Sequence, residues 1–369
     1  MPTSSISRRL VCAVALLVAP VPFAACADVT APEPVPGEIL FLSNQLKDSL
    51  YYLRPFHALH AIGMDGAGLR SVIPRPDLNF SYDVSRDGRR IVVNGPEADI
   101  WSANVAGTEI VRLTNRGATR TDGSNHGARW SHDGRLIAFV SNRERRQYGS
   151  TVGVSDVYVM NADGSSPRNV SSGLGDEIGF EPMVLGWTPA GEIIIRTHEV
   201  VGGVSRTRVY FMRPDGTPGR APLPEQDGPP VFSPSGSHVV FTRTESGIAR
   251  LYVMNADGSN ARPLTNQAGD VLEPGDGLRS PWSPDGRTIV FRRAGADAPG
   301  LYVVTVDGTG LRRIVAGYDA RFGSWSPAGD RIALSMDHDI HIAAVNGSGP
   351  QNVTRSPGVV DIAPVWLPR

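Results

Sequence analysis

The sequence predicts an all-β protein built from one repeated unit of four short antiparallel strands. The unit is clearest over residues 282–314, where β-rich runs alternate with tight turns. Its first turn reads Trp282-Ser283-Pro284-Asp285-Gly286. Proline presets φ at the second turn position, and Asp-Gly adopts the positive φ that a hairpin needs at low cost. A second turn follows at Asp307-Gly308, and no helical period is sustained after residue 30, so the class is all-β.

Both turns recur along the chain. Counterparts of the first turn begin at Val84, Trp130, Trp187, Phe232 and Trp325, which makes six copies with the one at Trp282. The second turn occurs seven times, at Asp65-Gly66, Ala106-Gly107, Asp163-Gly164, Asp215-Gly216, Asp257-Gly258, Asp307-Gly308 and Asn346-Gly347. A unit that returns roughly every 40 to 57 residues is typical of a β-propeller.

The two ends of the repeat array are complementary halves of one unit. Residues 39–42 match its second strand with no first turn before them, and residues 362–368 match its first strand. Pairing these halves would close a ring and remove exposed sheet edges. The sequence therefore predicts a β-propeller of about seven four-stranded blades over residues 38–369, closed by the C-terminal strand; six blades is the alternative.

Two kinds of side chain are explained by this architecture. Tryptophan recurs at one place per blade, which is the register that packing between blades requires: Trp130, Trp187, Trp282, Trp325 and Trp366. The turn aspartates precede glycine, where Asp bonds its own backbone, so we interpret them as turn formers and not as cation ligands: Asp163, Asp257, Asp285 and Asp307.

The repeat resembles a known family. The turn at Trp282 with Ile289 and Phe291, and residues 251–260 followed by Leu264-Thr265, look like the WD40-like PD40 repeat of the TolB-type propellers. The resemblance covers nearly all of residues 38–369. TolB itself carries an α/β domain ahead of a six-bladed propeller, so we expect a TolB-like ring that lacks this domain, and TolB's own partners are not carried over.

The N-terminus has the features of a bacterial export signal. Arg8 and Arg9 precede an apolar run over residues 10–21, which is too short to span a membrane. The small residues before Cys26 resemble the lipobox of bacterial lipoproteins. That resemblance implies cleavage before Cys26 and attachment of lipid to it; an ordinary signal peptide cut nearby is the alternative.

The domain limits follow from this interpretation. Residues 1–25 are the expected export signal, residues 26–37 a proline-rich tether and residues 38–369 the propeller. Ala27 replaces the Asp that retains enteric lipoproteins in the inner membrane. We therefore expect a protein on the periplasmic side of the cell envelope, anchored by its lipid to the outer membrane.

Composition excludes some classes of function. The net charge is −1 and charged residues make up 20% of the chain, so no strong field favours nucleic acid or an anionic membrane surface. The sequence holds neither a Gly-x-Ser-x-Gly nucleophile elbow nor a His-Glu-x-x-His pair. We expect a monomer without enzymatic activity, cofactor or bound metal.

Strand direction predicts which face of the ring binds a partner. With strands A to D in each blade, the short A–B and C–D turns share one face, here called the turn-rich face. The B–C and D–A connections share the opposite, loop-rich face and vary in length, as binding loops on rigid scaffolds do. The longest expected loops cover residues 44–56, 114–128, 142–155, 198–207 and 266–279.

Two of these loops hold candidate binding residues. The first loop contains Arg143, Arg145, Arg146 and Tyr148. Their guanidinium groups and phenol are suited to binding a carboxylate, a phosphate or an acidic glycan. A solvated charged loop is the plainer interpretation. The second contains Tyr51 and Tyr52 and is more aromatic than a solvated loop needs. It either contacts a protein or sugar or folds over the rim of the ring.

Histidines suggest the alternative function. His126 and His198 fall on the loop-rich face, and Asp339 and His341 point the same way from one strand and could share an ion. Some seven-bladed lyases that cleave uronic-acid sugars hold a metal through several histidines, but here the positions share no register. We favour a non-enzymatic envelope lipoprotein that binds a protein or cell-wall glycan; the alternative is a carbohydrate-active propeller, binding acidic sugars or cleaving uronates.

Overall fold

The computed structural model describes residues 37–44, 57–78, 81–95, 98–115, 124–148, 151–174, 182–201, 204–221, 228–266, 270–272, 280–294 and 298–368. Their strands form seven antiparallel sheets, which confirms the seven-bladed propeller. No helix of the described residues is long and apolar enough to cross a membrane. The predicted export signal, residues 26–36 of the predicted tether, Tyr51 and Tyr52 lie outside the described residues.

The first four blades have the following strands. Blade I contains β27 (Asp361–Trp366), β1 (Glu38–Ser43), β2 (His57–Gly63) and β3 (Arg70–Leu78). Blade II contains β4 (Tyr82–Val84), β5 (Arg90–Gly95), β6 (Asp99–Asn104) and β7 (Val111–Arg112). Blade III contains β8 (Asn125–Trp130), β9 (Leu136–Tyr148), β10 (Thr151–Asn161) and β11 (Arg168–Asn169). Blade IV contains β12 (Met183–Trp187), β13 (Ile193–Val201) and β14 (Val204–Met212).

The last three blades follow the same order. Blade V contains β15 (Val231–Phe232), β16 (His238–Glu245), β17 (Ile248–Asn255) and β18 (Arg262–Pro263). Blade VI contains β19 (Asp270–Val271), β20 (Thr288–Arg293), β21 (Gly300–Thr305) and β22 (Arg312–Ala316). Blade VII contains β23 (Arg321–Trp325), β24 (Arg331–Met336), β25 (Asp339–Ala344) and β26 (Pro350–Asn352).

Ring closure occurs where the sequence predicts it. Strand β27 pairs antiparallel with β1, with Ile39 opposite Trp366. The Leu367 amide donates to the Glu38 carbonyl (3.0 Å), and the Leu367 side chain is fully buried. The C-terminal strand is thus the innermost strand of blade I, where it covers the edge that β1 would otherwise expose.

The turn aspartates act as predicted. The Oδ1 of each aspartate accepts a hydrogen bond from the backbone amide two residues ahead, as seen at Asp163, Asp257, Asp285 and Asp307. In Asp307 the bonds from the Thr305 hydroxyl, the Thr309 amide and the Thr309 hydroxyl lower the pKa to about 2. These carboxylates are therefore occupied within their own turns.

The tryptophans join neighbouring blades, as predicted. The indole Nε1 of Trp187 donates to the Arg129 carbonyl of the preceding blade (3.1 Å). The indole of Trp282 donates in the same way to the Val231 carbonyl (2.9 Å), and that of Trp325 donates to the Pro281 carbonyl (2.9 Å). Each indole is nearly buried, so it supplies both apolar contact and a satisfied donor at the blade interface.

A second link between blades has no counterpart in the sequence prediction. An arginine near the start of the outer strand donates to a backbone carbonyl at the C–D turn of the next blade. The pairs are Arg70 with Val105 (3.1 Å), Arg168 with Pro214 (2.7 Å), Arg220 with Ala256 (2.7 Å), Arg262 with Val306 (2.7 Å) and Arg312 with Val345 (2.7 Å). The same contact thus secures five neighbouring pairs of blades at the rim.

Two expected loops are β-ribbons instead. Strands β9 and β10 continue to Tyr148 and Thr151, so residues 142–155 form a hairpin, here called ribbon III. Strands β13 and β14 likewise continue to Val201 and Val204, so residues 197–208 form ribbon IV. The polar residues hid this extension, but β-branched residues such as Thr197 and Val200 favour strands even where charges alternate with them.

The fourth strand of blade IV is reduced to a single bridge, between Met212 and Pro218. Proline at this position cannot donate to a ladder, which ends the pairing. In blade VI the innermost strand is split, because Trp282 bridges Ile289 separately from β19. Both departures are local and leave the ring intact.

Candidate functional site

The structure places Arg143 at the base of ribbon III. Its guanidinium lies over the rings of Tyr158 (4.6 Å to the centroid) and Phe139 (5.2 Å). It also donates to the Asn125 Oδ1 (2.9 Å) and to the Ser141 Oγ (3.1 Å). Arg143 is therefore half-buried and held by its own blade, with burial lowering its pKa.

The other ribbon candidates are placed by backbone register. In ribbon III, Arg146 lies opposite Val154 and Tyr148 opposite Thr151. Arg145 belongs to the same strand. In ribbon IV, His198 lies opposite Thr207. The side chains of these four residues are outside the described part, so their role in binding stays a prediction.

The imidazoles do not form a common site among the described residues. His126 is exposed on β8, opposite Val140. His341 is buried, and its Nδ1 lies 3.3 Å from the Asp339 carbonyl oxygen. Within the described ranges, no three His, Cys, Asp or Glu side chains converge on a point where a metal could sit.

The Asp339 carboxylate, which could share an ion with His341 under the alternative function, accepts three hydrogen bonds from protein groups. They come from the Asn352 Nδ2 (2.6 Å), the Thr354 Oγ1 (3.1 Å) and the Ser356 amide (2.9 Å). These bonds lower its pKa in spite of burial. Asp339 thus serves to fix strands C and D of blade VII.

The same carboxylate network recurs in other blades, and sequence reasoning missed it. Buried Asp99 accepts the Thr114 Oγ1 (2.6 Å), and buried Asp156 accepts the Ser171 Oγ (3.1 Å). The hydroxyl oxygen that donates to the aspartate also accepts a hydrogen bond from the next backbone amide of strand C. Thr114, for example, accepts one from the Ile100 amide (2.9 Å). An Asp directly before the apolar run of strand C, with Thr or Ser after the apolar residue of strand D, was the available signal.

The innermost strands of the ring line a cavity, here called the central channel. This cavity of about 810 Å³ is enclosed by the innermost strands of blades II to VI. It extends from the A–B turns at His132 and Ser233 to the loop-rich end at Met183 and Ser280. Apolar side chains dominate its wall, among them Trp130, Trp187 and Phe232. A mostly apolar cavity of this size is typical of small-ligand sites.

Cations outnumber anions around the channel. Arg86, Arg129 and Arg196 line it with one carboxylate, that of Asp83. Asp83 is held by the amides of Trp130 (2.8 Å) and Val84 (3.0 Å). Burial and the charge of Arg86 lower the pKa of His132, so this imidazole is neutral at pH 7. The channel therefore carries positive charge in an apolar wall.

A family model described as the TolB beta propeller domain, PD40, matches residues 66–274 and 217–369. The chain belongs to this family. The PD40 match begins within blade I and extends to the C-terminus, so the propeller assigned from the coordinates is the propeller of this family.

TolB proteins are also among the individual relatives of this PD40 protein. Over 44 residues it is 46% identical to the Tol-Pal system protein TolB of Anaeromyxobacter dehalogenans (strain 2CP-C), a match that spans 12% of this chain and 10% of that protein. The crystal structure of TolB from Acinetobacter baumannii is similar at 15% identity and a TM-score of 0.50, covering 90% of this chain and 67% of that one.

Enzymes share the same fold. An oligogalacturonate lyase in complex with manganese is similar at 13% identity and a TM-score of 0.58, covering 78% of this PD40 chain and 82% of the lyase. A puromycin hydrolase is similar at 14% identity and a TM-score of 0.63, covering 88% of this chain and 53% of the hydrolase. At these identities the likeness shows the fold alone.

Proposed function

We propose that this protein is a non-catalytic binding scaffold of the bacterial cell envelope, with its loop-rich face as the contact surface. The observation that carries the proposal is the pair of β-ribbons on adjacent blades of that face. Membership of the TolB propeller family supports an envelope role, because its relatives include a Tol-Pal system protein.

The composition of the ribbons favours an acidic partner. Ribbon III carries Arg143, Arg145 and Arg146 against Glu144, and ribbon IV carries Arg206 and Arg208 against Glu199. Guanidinium groups form bidentate bonds with carboxylates, and a surface of one sign steers the encounter with a partner of the opposite sign. An envelope protein with an acidic surface is the preferred partner, and an acidic cell-wall glycan is the second candidate.

A capture experiment tests the contact surface. We expect the immobilised protein to retain an envelope protein from detergent-solubilised membranes, identified by mass spectrometry. Combined Arg145→Ser and Arg146→Ser should reduce that capture at least tenfold, because two cations leave the ribbon while Arg143 keeps its packing. Purified peptidoglycan in place of membranes tests the glycan.

The control removes the same charge from the opposite face. Arg135 and Arg287 are exposed beside A–B turns, so Arg135→Ser with Arg287→Ser should leave capture unchanged. Equal capture by both double variants, or none by the wild-type protein from either preparation, would contradict the proposal.

We also propose that lipid on Cys26 anchors the protein to the outer membrane. The supporting observation is the lipobox-like sequence that ends at this cysteine. Cys26→Ala is expected to abolish incorporation of radiolabelled palmitate and to move the protein from the membrane to the soluble periplasmic fraction, because lipid is the only anchor proposed. Unchanged membrane association and labelling in Cys26→Ala would refute lipidation at this residue.

A further inference from the structure

We infer that the central channel is a binding site for a small organic anion, in which a carboxylate on an apolar or aromatic body contacts Arg196. This site is separate from the ribbon surface proposed above and does not depend on it. Three observations support it: the volume and wall of the cavity, the excess of arginine, and the unfulfilled hydrogen-bonding capacity of Arg196.

The position of Arg196 follows from its strand. It lies on β13 opposite Met183, the first residue of innermost strand β12, near the loop-rich end of the channel. Both residues line the cavity. Arg196 thus stands at the end of the channel whose connections are longest, with its charge at the edge of the apolar wall.

The guanidinium of Arg196 lacks a strong acceptor. One terminal nitrogen donates to the Met183 Sδ at 3.4 Å, and a thioether is a weak acceptor. Its Nε is buried, and no described residue accepts a hydrogen bond from it. Because the Nε has no accessible surface, a carboxylate in the channel would contact the terminal nitrogens, where it would add a strong acceptor and a charge of opposite sign.

Two other charged residues of the channel are already engaged. Arg129 donates to the Ala128 carbonyl (2.9 Å) and the Ser81 Oγ (3.2 Å), and is almost completely buried. Asp83 is held by two backbone amides. By comparison, Arg293 in blade VI is paired with buried Asp270 at 2.6 Å. Arg196 is the cation at the loop-rich end of the channel, and its one described acceptor is a thioether.

The wall defines the rest of the ligand. Trp130, Trp187 and Phe232 line the channel with the small part of each side chain that is not buried between blades. A ligand buried there gains from an apolar body, and a strongly hydrated inorganic anion would lose its water without that gain. The expected ligand class is therefore an amphipathic monocarboxylate that fits within about 810 Å³.

Matched probes test the site. Binding of 4-phenylbutyrate to the purified full-length protein is measured by isothermal titration calorimetry, beside its neutral amide and the cationic 4-phenylbutylamine. We expect the carboxylate to bind at least tenfold more tightly than the amide, and the amine not to bind. Arg196→Met keeps the apolar stem and should remove that tenfold preference without changing binding of the amide.

Arg313→Met is the control, because Arg313 is an exposed residue of β22 outside the cavity wall; it should bind as the wild type does. If Arg196→Met does not fold, as judged by circular dichroism, Arg196→Gln takes its place. Equal binding of acid and amide to the wild type, no binding of either, or full carboxylate affinity in the Arg196 variant would overturn the inference. Loss of membrane-protein capture would leave these results unaffected, so the two proposals fail separately.

Discussion

Trp282→Ala is expected to lower the free energy of unfolding by about 3–5 kcal/mol, the range for removing a buried aromatic side chain. Trp282 is 2% exposed and lies between blades V and VI. Its indole also donates to the Val231 carbonyl of blade V (2.9 Å). The variant would lose both the apolar contact and the bond between the innermost strands. Chemical denaturation followed by circular dichroism measures the change.

Phenylalanine substitutions separate the two contributions. Trp282→Phe keeps most of the apolar contact but leaves the Val231 carbonyl without the indole donor. It should lower the free energy of unfolding by about 1–2 kcal/mol more than Trp130→Phe does. Trp130 is the matched case, because no described residue accepts a hydrogen bond from its Nε1. Equal losses for the two Phe variants would show that the indole bond does not matter for stability.

Asp361→Asn is expected to stabilise the protein at pH 7 by about 1–3 kcal/mol, the usual cost of a buried polar group left unsatisfied. Asp361 begins the closing strand β27 and is fully buried. Neither carboxylate oxygen accepts a hydrogen bond of good geometry from a described residue. Burial raises its pKa and nearby Asp339 adds to the effect, although the hydroxyls of Ser43, Thr354 and Ser356 oppose it.

Blade III has an asparagine, Asn125, at the position that corresponds to Asp361. Asn125 begins strand A there, opposite Ser141 of strand B, as Asp361 stands opposite Ser43 in blade I. Its Nδ2 donates to the carboxylate of Asp99 in the preceding blade (2.8 Å). Asp339 of blade VII is the counterpart of Asp99, so an asparagine at position 361 is expected to donate to it.

The effect of Asp361→Asn depends on pH in a defined direction. A carboxyl group whose pKa is raised by folding keeps its proton in the native state after the unfolded chain has lost it, so wild-type stability falls as pH rises above about 4 until the folded pKa is reached. The neighbouring His60 does not compensate, because burial lowers its pKa and leaves it neutral at pH 7. The stability gain of the variant should therefore be small at pH 4 and larger at pH 7.

The converse substitution is the control. Asn125→Asp would place a second carboxylate beside Asp99 and should destabilise the protein at pH 7, with Arg143 offsetting part of the loss. Thermal melts at pH 4 and pH 7 measure both variants. A destabilised Asp361→Asn protein at pH 7, or a gain that does not change with pH, would contradict this account of the closing strand.

Local chemistry explains why the fold was predictable. Each turn is specified within five residues, as in Trp282-Ser283-Pro284-Asp285-Gly286, and the incomplete units at residues 39–42 and 362–368 show how the ring closes. The ribbons were missed because their arginines suggested solvated loops, while the strand preference lay in the β-branched residues between them. The loop-rich face itself could be inferred from strand direction alone.

The channel could not be predicted in the same way. Its wall combines residues from Asp83 to Ser280, which only the closed ring brings together. Nothing in the local sequence distinguishes Arg196 from the many arginines of this chain; its place at the channel with only a thioether as described acceptor emerges in three dimensions. The carboxylate network at Asp99 and Asp339 was missed for a similar reason, since its donors lie a strand away.

Closure by β27 has a consequence for how the protein is made. The Val360 amide donates to the Asn44 Oδ1 across 316 positions of the chain, and the paired residues of β27 and β1 are slightly farther apart. Contacts between such distant segments form slowly, because a long chain must first be brought together. A polypeptide that emerges N-terminus first can complete blade I only after β27 has emerged, so closure of the ring waits until all seven blades have been synthesised.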